Sequence, residues 1–223
     1  MRKGPMARSF ELIVFDWDGT LMDSAAAIVA AIQAAAADLG LNPPTEARAR
    51  HVIGLGLHEA LRYALPELEE GRHEVLATRY RHHYLSRDHE LSLFGGIEEL
   101  LRDLSGAGFL LAVATGKSRQ GLDRALGASG IAGLFDATRC ADECHSKPHP
   151  QMLEELITEV GATAESTLMI GDTTHDIEMA HNAGVAALAV GYGAHSRREL
   201  EAKSPLACAD TVEELSLWLR TNA

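Results

Sequence analysis

Cysteine is scarce in this 223-residue chain: Cys140, Cys144 and Cys208 are all there is. An odd, sparse set of thiols cannot build a disulfide framework. Cys140, Cys144 and His145 lie close together, but two thiols and one imidazole without a second pair are a weak zinc signal. Positive charge is short as well. Lys and Arg number 20 against 32 Asp and Glu, a formal net charge of −12. A protein that wraps duplexes needs excess cations to displace counterions, so no nucleic-acid partner is expected. No apolar run reaches the roughly 18 residues of a membrane span. The start, Met1-Arg2-Lys3-Gly4-Pro5-Met6, has no secretory h-region behind it. No membrane partner and a cytoplasmic location are therefore expected. Without a coiled-coil heptad, a monomer is expected too.

What the chain has is an alternation. Phe10–Phe15, Phe109–Ala114, Ser166–Ile170 and Val185–Val190 are short apolar runs, each halted by a polar or glycine residue. They read as buried strands. Between them apolar residues recur at i, i+3, i+4 and i+7, as in Ile97, Leu100, Leu101 and Leu104, and in Leu153, Leu156, Ile157 and Val160. That is the period of a helix with one buried face. Alternating strands and helices predict an α/β fold, a Rossmann-like parallel sheet covered on both faces. Residues 24–93 break the pattern. They carry almost no strand signal, and helices are predicted over Ala25–Leu39, Glu46–Ile53, His58–Ala64 and about Glu67–Arg87. The expected organisation is a catalytic core of residues 1–23 and 94–223, with a small all-α cap at 24–93 inserted after the first strand. That insertion holds seven Arg, no Lys and nine acids, so most of the negative charge lies in the core.

Polar residues gather where the strands end, the edge at which open α/β sheets bind ligands. Asp16 and Asp18 follow the first strand, Thr115 and Gly116 the second, and Asp172 a third. Asp16 and Asp18 would repel each other without a counter-charge, and a divalent cation or a shared proton relieves that. Oxygen donors without Cys or His point to a hard ion, Mg²⁺. The chain has four lysines, and Lys117 and Lys147 both fall in these strand-end segments. Lys147 can neutralise a bound phosphate, whereas Lys117 reads as a loop cation without chemistry. A hydroxyl, a close-approach glycine, a lysine and a metal-bound carboxylate suit phosphoryl transfer to a carboxylate nucleophile.

At this point the chain resembles a known family. Asp16-Trp17-Asp18-Gly19-Thr20, Thr115, Lys147 and Gly171-Asp172-x-x-x-Asp176 match, in order, the four motifs of the haloacid dehalogenase-like superfamily. The helical insertion is similar to the cap of its phosphoglycolate phosphatase-like branch. The resemblance implies a Mg²⁺-dependent phosphomonoester hydrolase acting on a small phosphorylated metabolite. In it Asp16 is the nucleophile that forms an aspartyl-phosphate, and Asp18 is the general acid and base. Thr115, Gly116 and Lys147 hold the phosphoryl oxygens, and Asp16, the Asp18 carbonyl and Asp172 bind the metal. Asp176 orients Lys147 or a metal-bound water, or is simply an acid favoured at a helix N-terminus. In capped relatives a loop corresponding to Gly54, Leu55 and Gly56 reaches over the site and selects the leaving group; an interhelical turn would explain those glycines equally well.

Asp18 separates phosphatases and mutases from dehalogenases, which have no acid there. A β-phosphoglucomutase-like enzyme would place a cation just beyond the cap-loop glycine, where this chain has Leu57 and His58, and an acid where it has Gly171. Phosphatase is therefore the expected activity, phosphomutase the alternative, and a non-catalytic phosphate- or Mg-binding module the remote one. The substrate stays open among phosphoglycolate, sugar phosphates and nucleoside monophosphates. Arg48, Arg50 and Arg62 are candidates to grip a small carboxylate, and the six insertion histidines read as solvated helix residues with a minority role in substrate contact.

Overall fold

A computed structural model describes residues 9–223. The reading of Met1–Met6 and Lys3 lies outside them. Six parallel strands form one sheet in the order β3-β2-β1-β4-β5-β6: β1 (Leu12–Phe15), β2 (Leu110–Thr115), β3 (Ala137–Cys140), β4 (Thr167–Gly171), β5 (Ala186–Val190) and β6 (Cys208–Ala209). Strand β1 is central, with Phe15 opposite Val113 on one side and Ile170 on the other. The chain winds outward from β1 in both directions. That reversal of strand order opens a crevice beyond the carboxyl ends of β1, β2 and β4.

The sheet is buried on both faces because its strands alternate with period two. Ile13 and Phe15 join the apolar layer of α5 (Ile97–Gly106), α6 (Arg119–Ser129) and α10 (Val212–Asn222). Leu12 and Val14 join the layer of α7 (Gln151–Val160) and α8 (Thr174–Asn182), with Leu200 of the short α9 (Arg197–Glu201). Strands β3 and β6 carry no apolar run, which is why pattern reading misses them. Both are edge strands, where one side needs no partner. Arg139 of β3 reaches Glu155 and Glu159 of α7 at 2.7 and 2.6 Å, a charged edge of the kind that discourages further pairing.

Four helices occupy the stretch between β1 and α5: α1 (Ala25–Asp38), α2 (Glu46–His51), α3 (Leu57–Ala64) and α4 (His73–Ser86). They share an apolar core of their own around Ile32, Leu61 and Leu76. The alanines of α1 let α4 pack closely on it. Thr45 caps α2 by accepting a hydrogen bond from the Arg48 N–H at 3.3 Å. Two predicted helices are shorter than expected. The α2 helix stops at His51, before Gly54 with φ +92°, and only a single 3₁₀ turn at Glu70–Arg72 precedes α4. The segment leaves and returns at one place, where Met22 bridges Leu93 antiparallel and the Asp23 N–H donates to the Ser92 carbonyl at 3.0 Å. Among the described residues no helix is long and apolar enough to cross a membrane.

Candidate active site

Strand geometry alone delivers the polar residues to one place. β1, β2 and β4 are neighbouring parallel strands whose ends lie within two residues of one another in register, so Asp16, Gly116 and Asp172 follow them at the same edge. Lys147 arrives from the loop after β3. Its side chain is completely buried, and its Nζ donates to Asp16 Oδ1 at 2.5 Å and to Asp176 Oδ1 at 2.7 Å. Asp172 is equally buried; it accepts from Thr20 Oγ1 at 3.0 Å and from the Ala194 N–H at 2.6 Å. Asp176 serves two ends. Its second oxygen takes the Thr173 N–H at 3.0 Å and hydroxyl at 2.7 Å, closing a capping box on α8. Both sequence readings of Asp176 thus describe one residue. Gly171 makes room for it: a methyl group there would lie 2.2 Å from the Asp176 carboxyl carbon.

Three carboxylates and one ammonium are therefore buried together, a formal excess of two negative charges. Uncompensated charge in a protein interior costs several kcal/mol per ion. The electrostatics show the strain of it. Burial pushes the Asp16 carboxyl up to about 7, Lys147 opposing and Asp176 adding to the rise. Burial likewise holds Asp172 well above the usual carboxylate range, with Asp16 and Asp176 reinforcing it. Burial disfavours the Lys147 ammonium, but the two carboxylates beside it outweigh this and raise it. Asp16 Oδ2 is buried with no hydrogen-bond partner. An orphaned oxygen, all-oxygen donors and an excess charge of −2 together fit a hard divalent cation.

A prediction follows from the sign of the Asp16 shift. Folded Asp16 binds its proton more tightly than unfolded Asp16, so between about pH 4 and pH 7 this group alone lowers stability as pH rises. A divalent cation competes for the same carboxylate. The increase in melting temperature on replacing chelator with Mg²⁺ should thus grow as pH rises from 5 to 7. His175 and His195, which burial shifts downward, the latter to about 4, pull the other way but cancel from the difference. A Mg²⁺ increment that shrinks with pH would contradict the placement of the cation on Asp16.

Asp18 stands apart from this cluster. Its Oδ1 accepts from Ser24 Oγ at 2.7 Å and faces Lys117 Nζ at 3.0 Å. Lys117 also donates to the Tyr84 hydroxyl at 2.9 Å and lies over that ring, 4.7 Å from its centroid. The loop-cation reading of Lys117 is corrected: it pairs with Asp18 and ties β2 to α4. Chain order hides this, because Tyr84 is contributed by a distant helix. Thr115 is fully buried, its hydroxyl accepting from the Lys117 N–H at 3.2 Å.

The glycine loop between α2 and α3 sits directly on these strand ends. A methyl group on Gly116 would lie 2.4 Å from the Leu55 carbonyl oxygen. The Gly56 N–H donates to Ser146 Oγ at 2.8 Å, and Gly54 packs against Thr173. Gly54, Leu55 and Gly56 are thus brought onto three of the four motif loops, a contact that an ordinary interhelical turn would not require.

A family model described as haloacid dehalogenase-like hydrolase matches residues 13–190, most of the chain and all of these motifs. The chain belongs to the haloacid dehalogenase-like hydrolases. It is 38% identical over 210 residues to the "probable phosphatase IndB" of Dickeya dadantii, covering 92% of this chain and 91% of that one. It is 36% identical to a 5'-nucleotidase of Pseudomonas aeruginosa, covering 89% and 90%. The crystal structure of a predicted phosphoglycolate phosphatase from Haemophilus somnus superposes with a TM-score of 0.82 at 27% identity, covering 95% and 98%. The enzyme class read from the sequence, a phosphatase of this family, agrees with these relatives.

Other candidates are placed elsewhere in this hydrolase. Burial pushes the Cys140 thiol up to about 12, and neither it nor Cys144 takes part in a metal-ligand cluster among the described residues. Three imidazoles do meet: His51 of α2, and His175 and His195 of the core, with His51 and His195 stacked at 5.1 Å. His175 Nε2 and His195 Nε2 lie 2.7 and 3.2 Å from the His51 carbonyl oxygen. They satisfy an acceptor that the end of α2 leaves free. His51 therefore joins helical segment to core, which its solvated-helix reading did not foresee. Nothing in the local sequence marks the pairing.

Proposed function

We propose that this protein is a Mg²⁺-dependent phosphomonoester hydrolase of small phosphorylated metabolites, phosphoglycolate phosphatase-like in organisation, working through an aspartyl-phosphate on Asp16. The observation that carries the reading is the buried Asp16–Lys147–Asp176 and Asp172 cluster, with Asp18 beside it on the wall of a cavity. Residues 24–93 act as the cap over a core of residues 1–23 and 94–223, and Gly54–Gly56 form its contact with the site.

Asp16, held through Oδ1 by Lys147, attacks phosphorus in line with one of its carboxylate oxygens. The P–O bond to the alcohol breaks, and the leaving oxygen takes a proton from Asp18. Ser24 and Lys117 hold Asp18 through Oδ1, which leaves its other oxygen to face the leaving group. In the second step Asp18, now ionised, removes a proton from water, which attacks phosphorus and releases phosphate and Asp16. The Thr115 hydroxyl, the Gly116 N–H and Lys147 hold the phosphoryl oxygens and stabilise charge that grows on them. Asp16, Asp172 and the Asp18 carbonyl would hold Mg²⁺, which would supply the positive charge that lets an anionic ester approach an anionic nucleophile. Splitting a very slow hydrolysis into two positioned steps is how such a barrier is lowered.

Phosphate release from a panel of monoesters, with Mg²⁺ and with chelator, tests the reaction class; turnover that survives chelation would sink it. The division of roles is tested by Asp18→Asn. This variant is expected to release a burst of alcohol and then stall, its steady-state rate about 10²- to 10⁴-fold below the parent. Equal burst and steady-state rates would contradict the acid–base assignment.

A further inference from the structure

Between the four helices and the strand edge lies a cavity of about 420 Å³ that opens onto Asp18. Its size suits a molecule of drug-like bulk, since such pockets run from roughly 300 to 1,000 Å³. A two-carbon acid would leave most of it empty. The inner wall is hydrocarbon: Ile28 and Ile32 of α1, Ile53, Leu57 and Leu61 near α3, and Tyr80 of α4. Tyr80 stacks on Tyr84 at 5.9 Å, so part of the wall is aromatic.

Charged groups do reach the cavity, but they are engaged or peripheral. Lys117 is held by Asp18 and Tyr84, and Arg124 by Asp88 at 2.7 Å. Arg81, His58 and Glu59 are exposed at the mouth. None of Arg48, Arg50 and Arg62 lines the cavity, and of the six insertion histidines only His58 does. The three arginines offered as a grip for a small carboxylate therefore lie outside this cavity. Ser118, Gln120, Asp142 and Ser146 also line the cavity, but a hydroxyl laid against the isoleucine and leucine side chains would give up water without a partner, which is unfavourable.

We propose that the substrate is a phosphate monoester whose alcohol carries an apolar, ring-sized group, which the cap side chains receive while the phosphate sits on Asp16. This rests on the phosphatase reading above and adds the leaving-group class. An apolar pocket discriminates by about 10- to 200-fold for a single methylene, so a ring should count for at least that much.

The experiment compares naphthylmethyl phosphate with ethyl phosphate, glycerol phosphate and phosphoglycolate, all esters of aliphatic alcohols, so that binding rather than leaving-group acidity sets the order. Binding of naphthylmethanol to the Mg²⁺-loaded protein is measured alongside by calorimetry. The expected result is a kcat/KM for the naphthylmethyl ester at least about 100-fold above that for ethyl phosphate, together with saturable binding of the alcohol. In Leu57→Glu, checked for folding by its thermal transition, that ratio should fall at least tenfold, and Leu57→Phe should preserve it. Turnover of ethyl phosphate, glycerol phosphate or phosphoglycolate at equal or better efficiency overturns the apolar class and leaves the phosphatase reading standing. Binding of the alcohol without turnover of any ester supports the cavity's chemistry while removing the reaction. Neither binding nor turnover overturns both.

Discussion

Asp16→Asn is expected to reduce phosphate release by at least about 10⁴-fold, the scale of loss when a covalent nucleophile is removed. The substitution keeps the shape of the side chain. Its amide oxygen still accepts from Lys147, and only the unpaired oxygen, Oδ2, is replaced by an NH₂ group. The contact with Lys147 should therefore survive while the anionic nucleophile is lost. The same change removes one negative charge from a cluster that has two in excess. In chelator the variant should be as stable as the parent or more so, since burial already pushes the Asp16 carboxyl up to about 7. Turnover assays and thermal unfolding on one preparation check both halves. Residual activity within a hundredfold of the parent would remove Asp16 from the nucleophile role.

Lys147→Met should fail in the opposite way, losing activity and stability together. Methionine fills a similar volume but leaves Asp16 and Asp176 without the cation they share at 2.5 and 2.7 Å. Removing one partner of a buried ion pair costs about 3–5 kcal/mol, because the remaining charge stays desolvated. Loss of a donor to the phosphoryl group adds about a 10²- to 10³-fold fall in turnover. The stability loss should be largest in chelator at pH 8 and smaller with Mg²⁺, which supplies positive charge at the same carboxylates. It should also shrink as pH falls, because a protonated Asp16 no longer needs the ammonium. Denaturant unfolding across pH, with and without Mg²⁺, measures all three. An unchanged midpoint at pH 8 in chelator would mean that Lys147 does not hold this cluster together.

The stability of this site and its chemistry therefore pull against each other. The carboxylates proposed for catalysis are the same ones whose burial together is electrostatically costly. Lys147 offsets part of that charge, and the excess that remains favours a divalent ion. Asp18 is paired instead with a separate lysine, Lys117, and with Ser24.

Much of this was legible in the chain itself. An apolar run halted by Asp, Thr or Gly-Asp encodes both a buried strand and the residue that projects from its end. Parallel strands present their carboxyl ends at one edge of the sheet, so Asp16, Gly116 and Asp172 share that edge although β1, β2 and β4 differ in length. Helix periodicity placed Ile97, Leu100, Leu101 and Leu104, all of which are buried. The edge strands β3 and β6 escaped because Ala-Thr-Arg-Cys and Cys-Ala carry no burial pattern; only a neighbouring strand makes them strands.

What the sequence by itself determined was the α/β alternation, the helical insertion, and the family to which its strand-end motifs belong. Each depends on residues adjacent in the chain or repeating at a fixed period. The tertiary structure alone decided that Lys117 pairs with Asp18, that His51 is clasped by two core imidazoles, and that Ile28, Ile32, Leu61 and Tyr80 line the cavity while Arg48, Arg50 and Arg62 do not. Those contacts join helices to a sheet across dozens of residues. Local pattern shows that a helix has an apolar face, but not which groups on the sheet that face will meet.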